Sequence, residues 1–141
     1  MKGDRTLKNI NVFFEDRSYR ISCSEVEKTV LVVLKQEDSI SNQINIIFTD
    51  DKNISSLNRK YFNKKTKTDV ISFSIDDFCG EVYISLPQAR RQANEYKVSI
   101  KQEVKRLIIH GVLHLLGYDH DYSNLNSKMF VKQEKYLRMV S

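Results

Sequence analysis

The three histidines of the chain, His110, His114 and His120, lie within eleven residues of sequence. Residues four apart on an α-helix share one face, so His110 and His114 can bind one metal ion together. Gly117 can adopt a left-handed conformation that ends the helix and turns His120 back as a third nitrogen ligand. Hydrolytic zinc sites have three protein ligands and keep the fourth position for water. The spacing therefore predicts an open zinc site.

Two other interpretations of these residues are weaker. A lone histidine in an apolar helix is more often a core residue with a satisfied hydrogen bond, but three histidines at ligand spacing favour metal binding. Cys23 or Cys79 would close the site as a fourth ligand, although neither belongs to a cysteine pair with metal-ligand spacing. Two cysteines without such a pattern also indicate a reducing compartment.

The residue after the first histidine helps to distinguish peptide hydrolysis from phosphodiester hydrolysis. Zinc on three neutral imidazoles lowers the pKa of its bound water to about 7 and polarises a carbonyl or phosphoryl oxygen, which predicts hydrolysis. Metzincin peptidases share the histidine spacing but carry a general-base glutamate directly after the first histidine. Here that position is Gly111, which cannot move a proton. A phosphodiester instead needs positive charge around its phosphoryl oxygens, so we favour phosphodiester over peptide hydrolysis.

Positive charge is concentrated in one part of the chain, whose formal net charge is +5. Nine consecutive residues, 59–67, contain five cations and no acid, and such a patch attracts phosphate. A solvated lysine-rich surface explains the charge equally well when charge is the only evidence. The candidate RNA-binding residues are Arg59, Lys60, Lys64, Lys65 and Lys67.

Hydrophobic periodicity predicts the elements that position these residues, in the order β-α-β-α-β-β-α-α-α. Capping patterns mark four helix starts: Ser24 with Glu27, Asp50, Ser85 with Gln88, and Ser99 with Gln102. The helix after Ser99 carries His110 and His114 and is apolar nearly all round, so it should pack centrally. The predicted strands are 9–14, 43–49, 69–74 and 81–85, the last two joined by a turn containing Asp76, Asp77 and Gly80, and a final helix includes Leu125, Met129, Tyr136, Leu137 and Val140.

These elements predict a single α+β domain over residues 1–141, with a small mixed β-sheet of about four strands covered by helices. The metal site lies on a central helix and the turn that follows it. No apolar run approaches the roughly twenty residues that a membrane-spanning helix needs. We expect a cytoplasmic protein without a membrane partner, and the oligomeric state stays open.

Residues 110–120, with the sequence HGVLHLLGYDH, closely resemble the signature of the bacterial YbeY family, also called rRNA maturation factor or endoribonuclease YbeY. This segment is the specific part of the resemblance, which extends from about Asn45 to the C-terminus. Further segments match the family in order: Leu57-Asn58 with Tyr61, residues 68–73 (TDVISF), residues 80–85 (GEVYIS), Met129-Phe130 and Gln133-Glu134.

The resemblance implies a single-strand-specific endoribonuclease that acts in maturation of the 16S rRNA 3′ end and in ribosome quality control. It implies one zinc ion on His110, His114 and His120, and the mixed-sheet α+β fold. The implied partners are single-stranded RNA and the 16S rRNA precursor or the small ribosomal subunit. An alternative is a ribosome-assembly factor that binds rRNA and in which zinc is mainly structural.

One position departs from the family pattern. Family members commonly carry arginine directly after the tyrosine of the Leu-Asn segment, and here that residue is Phe62. Arg59, one turn earlier on the same helix, or Lys64 can offer a cation to the region that the family arginine occupies. Because this arginine is missing, the sequence favours the assembly-factor alternative more strongly than the sequence of a standard family member would.

The candidate catalytic residues are Arg59, Asp69 and Asp119, acting with zinc-bound water. Each carboxylate can hold a ligand imidazole in its tautomer, but Asp69 can instead cap a strand and Asp119 can instead stabilise a turn. Ser72 is better read as a strand residue than as a nucleophile, since no histidine is left to activate it.

Overall fold

The computed structural model describes residues 9–39, 42–62, 68–118 and 128–141, with the side chain of Phe62 excluded. The described residues form four strands and five helices, which confirms both the predicted order and the α+β class. None of the helices in these ranges is long and apolar enough to cross a membrane. The elements are β1 (Ile10–Phe14), α1 (Cys23–Gln36), β2 (Gln43–Thr49), α2 (Asp51–Phe62), β3 (Val70–Asp76), β4 (Cys79–Ser85), α3 (Leu86–Tyr96), α4 (Ile100–Leu115) and α5 (Lys128–Val140).

The four strands form one mixed sheet in the order β1-β2-β4-β3. β2 pairs in parallel with both β1 and β4, and β3 pairs antiparallel with β4. The turn between β3 and β4 is closed by Asp76, whose Oδ1 accepts a hydrogen bond from the Phe78 N–H at 2.8 Å. The prediction that Gly80 belongs to this turn was wrong, because Gly80 already pairs with Ile44 and Ser74 inside the sheet.

The main core lies between one face of the sheet and the helices α1, α4 and α5. Because side chains alternate along a strand, Ile46, Val82 and Ile84 all point into this core from one face of the sheet. We call this face the inner face. Helix α4 contacts α1, α3, α5, β3 and β4, so it is the central helix that its apolar sequence predicted. Its buried apolar residues are Val104, Leu107, Ile108, Ile109, Val112 and Leu113.

Helix α2 packs on the opposite, outer face of the sheet. The Tyr61 ring meets the Phe73 ring with centroids 5.1 Å apart, and Phe73 alternates with the inner-face residue Ser72. At the other end of α2, Asp51 Oδ1 accepts a hydrogen bond from the Ser85 hydroxyl at 2.7 Å. The sheet therefore separates α2 from α4.

Helix starts follow the capping patterns with one exception. The Ser85 and Ser99 hydroxyls accept hydrogen bonds from backbone N–H groups three residues later, and the Asp50 carboxylate does the same, as predicted. The prediction that Ser24 caps α1 was wrong: Ser22 is the N-cap and accepts from the Glu25 N–H at 3.1 Å. Leu125, predicted on the last helix, lies outside the described residues, and α5 begins at Lys128.

Candidate metal centre

Two of the three predicted zinc ligands lie on successive turns at the end of α4, with His110 half-buried and His114 exposed. Gly117 has a φ of 103°, its N–H donates to the His114 carbonyl at 3.1 Å, and the Tyr118 N–H donates to the Leu113 carbonyl at 3.2 Å. This is a Schellman C-cap, which confirms that the helix ends where the glycine predicted.

The third predicted ligand, His120, and its neighbour Asp119 lie outside the described residues, so their place in the site stays a prediction. Within the described ranges no three His, Cys, Asp or Glu side chains form a group that could hold a metal ion. Cys23 and Cys79 are free thiols on α1 and β4 and complete no such group there.

The imidazole of His110 is held by a glutamine from α5. His110 Nδ1 lies 2.8 Å from Gln133 Oε1, and Gln133 Nε2 donates to Glu134 Oε2 at 3.2 Å. Because the amide nitrogen faces the Glu134 carboxylate, the amide oxygen faces His110, so Nδ1 must carry the proton. In the neutral imidazole, His110 Nε2 then keeps its lone pair, as a zinc ligand requires. The donor chemistry of His110 thus fits zinc. The spacing of the histidines gave no sign that Gln133, 23 residues away, would be the partner of His110.

The hydrogen-bonded chain continues from Gln133 into an ionic cluster on α4. Arg106 forms ion pairs with Glu134 and, at 3.4 Å, with Glu103. Burial raises the pKa of Glu103, while a hydrogen bond from Gln92 and the charge of Arg106 oppose that rise. The cluster fixes Glu134, which in turn orients the Gln133 amide.

Asp69 lies at the start of β3, where its backbone carbonyl accepts a hydrogen bond from the Ser85 N–H at 3.0 Å. Its negative charge also contributes to the raised pKa of Glu103, two helical turns before His110. The structure therefore places Asp69 within electrostatic reach of the α4 ionic cluster. Its catalytic role stays a prediction.

Gly111 marks a close approach of α4 to the sheet. A Cβ atom at this position would lie 2.4 Å from Val82 Cγ1 and 3.2 Å from Val70 Cγ2. The Ser72 hydroxyl donates to the Gly111 carbonyl at 2.9 Å, a strand-to-helix contact that agrees with a structural role for Ser72. A side chain at position 111 would therefore point into the sheet rather than toward the faces of His110 and His114.

Tyr118, two residues before His120, is anchored by the carboxylate of Glu37 at the end of α1. Glu37 accepts hydrogen bonds from the Tyr118 hydroxyl at 2.6 Å, from Lys132 at 2.8 Å, and from the Tyr136 hydroxyl. Burial raises the pKa of Glu37, but these three donors outweigh it and leave the pKa below its usual value. The contact joins α1 and α5 to the residue from which the His120 segment departs.

The predicted RNA-binding cations that the structure describes are Arg59 and Lys60, both exposed on α2. The Lys60 ammonium lies 5.2 Å from the centre of the Tyr61 ring. Both cations thus belong to the helix on the outer face of the sheet, whereas His110 and His114 belong to α4 on the inner face. Lys64, Lys65 and Lys67 lie outside the described residues, and the RNA-binding role of all five stays a prediction.

The comparisons with known proteins agree over nearly the whole chain. The family described as endoribonuclease YbeY matches residues 11–141. A relative named endoribonuclease YbeY from Endomicrobium trichonymphae is 47% identical over 109 residues, which cover 75% of this chain and 77% of the relative. Its counterpart from Persephonella marina is 39% identical over 135 residues, covering 89% of this chain and 87% of the relative.

A solved structure extends the likeness to the fold. The solution structure of TM1509 from Thermotoga maritima has a TM-score of 0.62 and 30% sequence identity, covering 93% of this chain and 88% of that one. The mixed four-stranded sheet, the histidines of α4 and these comparisons lead to one conclusion: the chain belongs to the endoribonuclease YbeY family.

Proposed function

We propose that the protein is a zinc-dependent endoribonuclease that cleaves single-stranded RNA, and that it acts in 16S rRNA 3′-end maturation and ribosome quality control. The observation that carries the proposal is the hydrogen bond between His110 and Gln133, which leaves His110 Nε2 as a metal donor one turn from His114. The names of the relatives, which describe endoribonucleases, support the substrate class.

His110, His114 and His120 would hold the ion. When bound there, zinc supplies a Lewis acid for a phosphoryl oxygen and an activated water. His110 is fixed by Gln133, and His114 is exposed on the same helix. Ligands held by packed helices suit catalysis because a site on rigid elements keeps its geometry.

The remaining chemistry concerns protons and charge. Asp69 and Asp119 are the candidates for proton transfer or for fixing a ligand tautomer, and the leaving 3′ or 5′ oxygen of the RNA must receive a proton. Arg59 and the other cations of residues 59–67 would attract the phosphate backbone of the RNA. Single strands are favoured as substrates because their phosphates and unstacked bases can follow an irregular protein surface.

The decisive test compares wild-type protein with His114→Ala on matched single-stranded and duplex RNA, with zinc measured on the same samples. We expect single-strand cleavage that is lost with the histidine and with chelator, and that returns on adding zinc to wild type alone. A 16S rRNA 3′-precursor fragment tests the substrate, with a scrambled RNA of equal length as control.

The alternative function makes the opposite prediction. Zinc bound at one ion per chain, without cleavage above the background of His114→Ala, would favour the rRNA-binding assembly factor. Phe62 in place of the family arginine is the observation that keeps this alternative in view. Its signature is salt-sensitive rRNA binding that survives in a folded His120→Ala variant.

A further inference from the structure

A small cavity lies on the outer face of the sheet, between the second half of α2 and the strands β3 and β4. Its volume is about 190 Å³. Sites for whole small-molecule ligands occupy roughly 300–1,000 Å³, so this cavity suits a single planar ring system. The described residues that line it are Leu57, Tyr61, Phe73, Glu81 and Tyr83.

Three aromatic rings shape this cavity. The Phe73 ring is edge-on to Tyr61, with centroids 5.1 Å apart and planes at 73°, and edge-on to Tyr83, at 5.8 Å and 85°. Tyr61 is 56% exposed, so much of its ring surface faces solvent. Solvent-exposed aromatic rings are surfaces on which proteins stack unpaired bases of single-stranded RNA.

The charges at the cavity are arranged with a carboxylate inside and a cation at the rim. Glu81 Oε1 accepts a hydrogen bond from the Tyr83 hydroxyl at 3.1 Å, and a carboxylate offers about four acceptor positions in all. Burial, followed by the charge of Glu81 and the hydrogen bond to it, raises the pKa of Tyr83 to about 12, so the phenol remains a donor. Lys60 lies over the Tyr61 ring at the rim.

We infer that this cavity binds an unstacked guanine of single-stranded RNA, with the base against Tyr61, its Watson–Crick edge toward Glu81 and its phosphate toward Lys60. Guanine presents two adjacent donors, N1–H and the 2-amino group, which match the two oxygens of one carboxylate. Adenine and cytosine place an acceptor nitrogen beside their amine, and uracil places a carbonyl on each side of its N–H, so a carboxylate repels part of each edge.

The same charges argue against a basic peptide as the occupant. An arginine side chain would satisfy Glu81 and the aromatic rings, but Lys60 would repel it at the rim, whereas a nucleotide matches both charges. The inference rests on RNA as the proposed substrate and adds a base preference to it. The subsite lies on the sheet face opposite α4, so it would hold RNA at a distance from the histidines.

The test measures binding of zinc-loaded protein to fluorescein-labelled UUGUU, UUAUU, UUCUU and UUUUU by fluorescence anisotropy. The RNAs carry 2′-O-methyl groups and phosphorothioate linkages so that they resist cleavage. We expect UUGUU to bind most tightly. Glu81→Gln should remove a preference on the order of tenfold and leave UUUUU unchanged, and Tyr61→Leu should weaken binding of all four by about 5- to 100-fold.

Matched controls separate the cavity from general effects. Tyr96, which is 54% exposed on α3, and the exposed Glu95 beside it give Tyr96→Leu and Glu95→Gln, and both should bind like wild type. Thermal unfolding confirms that each variant is folded. Equal binding of the four RNAs to wild type would overturn the inference, and so would an unchanged guanine preference in Glu81→Gln.

Two further results discriminate the hypotheses. If an arginine-rich peptide binds in a Glu81-dependent manner while RNA binding does not depend on Glu81, the cavity is a protein-binding site and the inference fails. Guanine-selective binding by a protein that shows no zinc-dependent cleavage would support the subsite and reject the nuclease proposal. If Tyr61→Leu and Glu81→Gln cleave RNA with the wild-type sequence preference, the result would support the nuclease proposal and reject the guanine subsite.

Discussion

Replacing Gln133 with leucine would remove the acceptor that holds the Nδ1–H of His110 while keeping a side chain of similar size. Gln133 is 6% exposed, so solvent cannot easily replace its amide, and the 2.8 Å contact is lost outright. Losing a hydrogen-bond partner of a metal-bound histidine typically costs about 10–100-fold in metal affinity. That range corresponds to about 1.4–2.7 kcal/mol of zinc-binding free energy.

The same substitution should also lower the stability of the metal-free protein. It leaves the half-buried Nδ1–H of His110 without this acceptor, at a cost of about 1–3 kcal/mol, while Glu134 keeps its ion pair with Arg106. Gln133→Glu restores an acceptor oxygen and should return the zinc affinity toward wild type. Gln102→Leu, at a half-buried position near the start of α4, is the control for loss of a glutamine remote from His110.

The assay is a zinc titration in competition with a chelating dye, combined with urea unfolding of the metal-free proteins. We expect weaker zinc binding in Gln133→Leu, recovery in Gln133→Glu, and no change in Gln102→Leu. Zinc affinity in Gln133→Leu within twofold of wild type, in a folded protein, would refute the argument that Gln133 prepares His110 as a ligand. An equal loss in Gln102→Leu would show a general effect on α4 instead.

Three other outcomes follow from the structure. The lowered pKa of Glu37 stabilises the fold above the unfolded carboxyl pKa, and this stability is lost as pH falls through the folded pKa, so melting temperatures between pH 7 and pH 3 should drop less in Glu37→Gln than in wild type. Gly111→Ala should cost about 1–3 kcal/mol in urea unfolding, and combining it with Val82→Ala should give less than the sum of the two single losses. If Lys60 contacts phosphate, Lys60→Gln should reduce the salt dependence of single-stranded RNA binding by about 0.7 in the slope of log K against log salt, and an unchanged slope would exclude that contact.

Local chemistry made part of the site predictable. The spacing of His110 and His114, the cap at Ser99 and the stop at Gly117 each depend on residues within one or two helical turns, and all three local features are confirmed. The prediction that Ser24 caps α1 was also wrong for a local reason, because Ser22 with Glu25 shows the same capping pattern two residues earlier. Sequence alone could not choose between two equivalent caps.

The contacts that orient the site are nonlocal and were missed. Gln133 reaches His110 only because α5 packs on α4. Glu37 reaches Tyr118 only because the end of α1 lies beside α4 and α5. Gly111 was read as the absence of a catalytic base, whereas the structure shows that it also permits the close packing of α4 on the sheet. Packing between distant segments, not residue type, assigns these roles.

The close contact at Gly111 has a consequence for the proposed metal site. With only a hydrogen atom between the α4 backbone and Val82, the helix cannot turn about its long axis without a collision. The backbone positions of His110 and His114, and through Gln133 the ring of His110, are therefore set by the folded core before any ion arrives. In small zinc domains the ion supplies the free energy of folding, so removing it unfolds the chain. If zinc binds at His110 and His114, a helix that the core already holds in place should let one ion leave and another replace it while the chain remains folded.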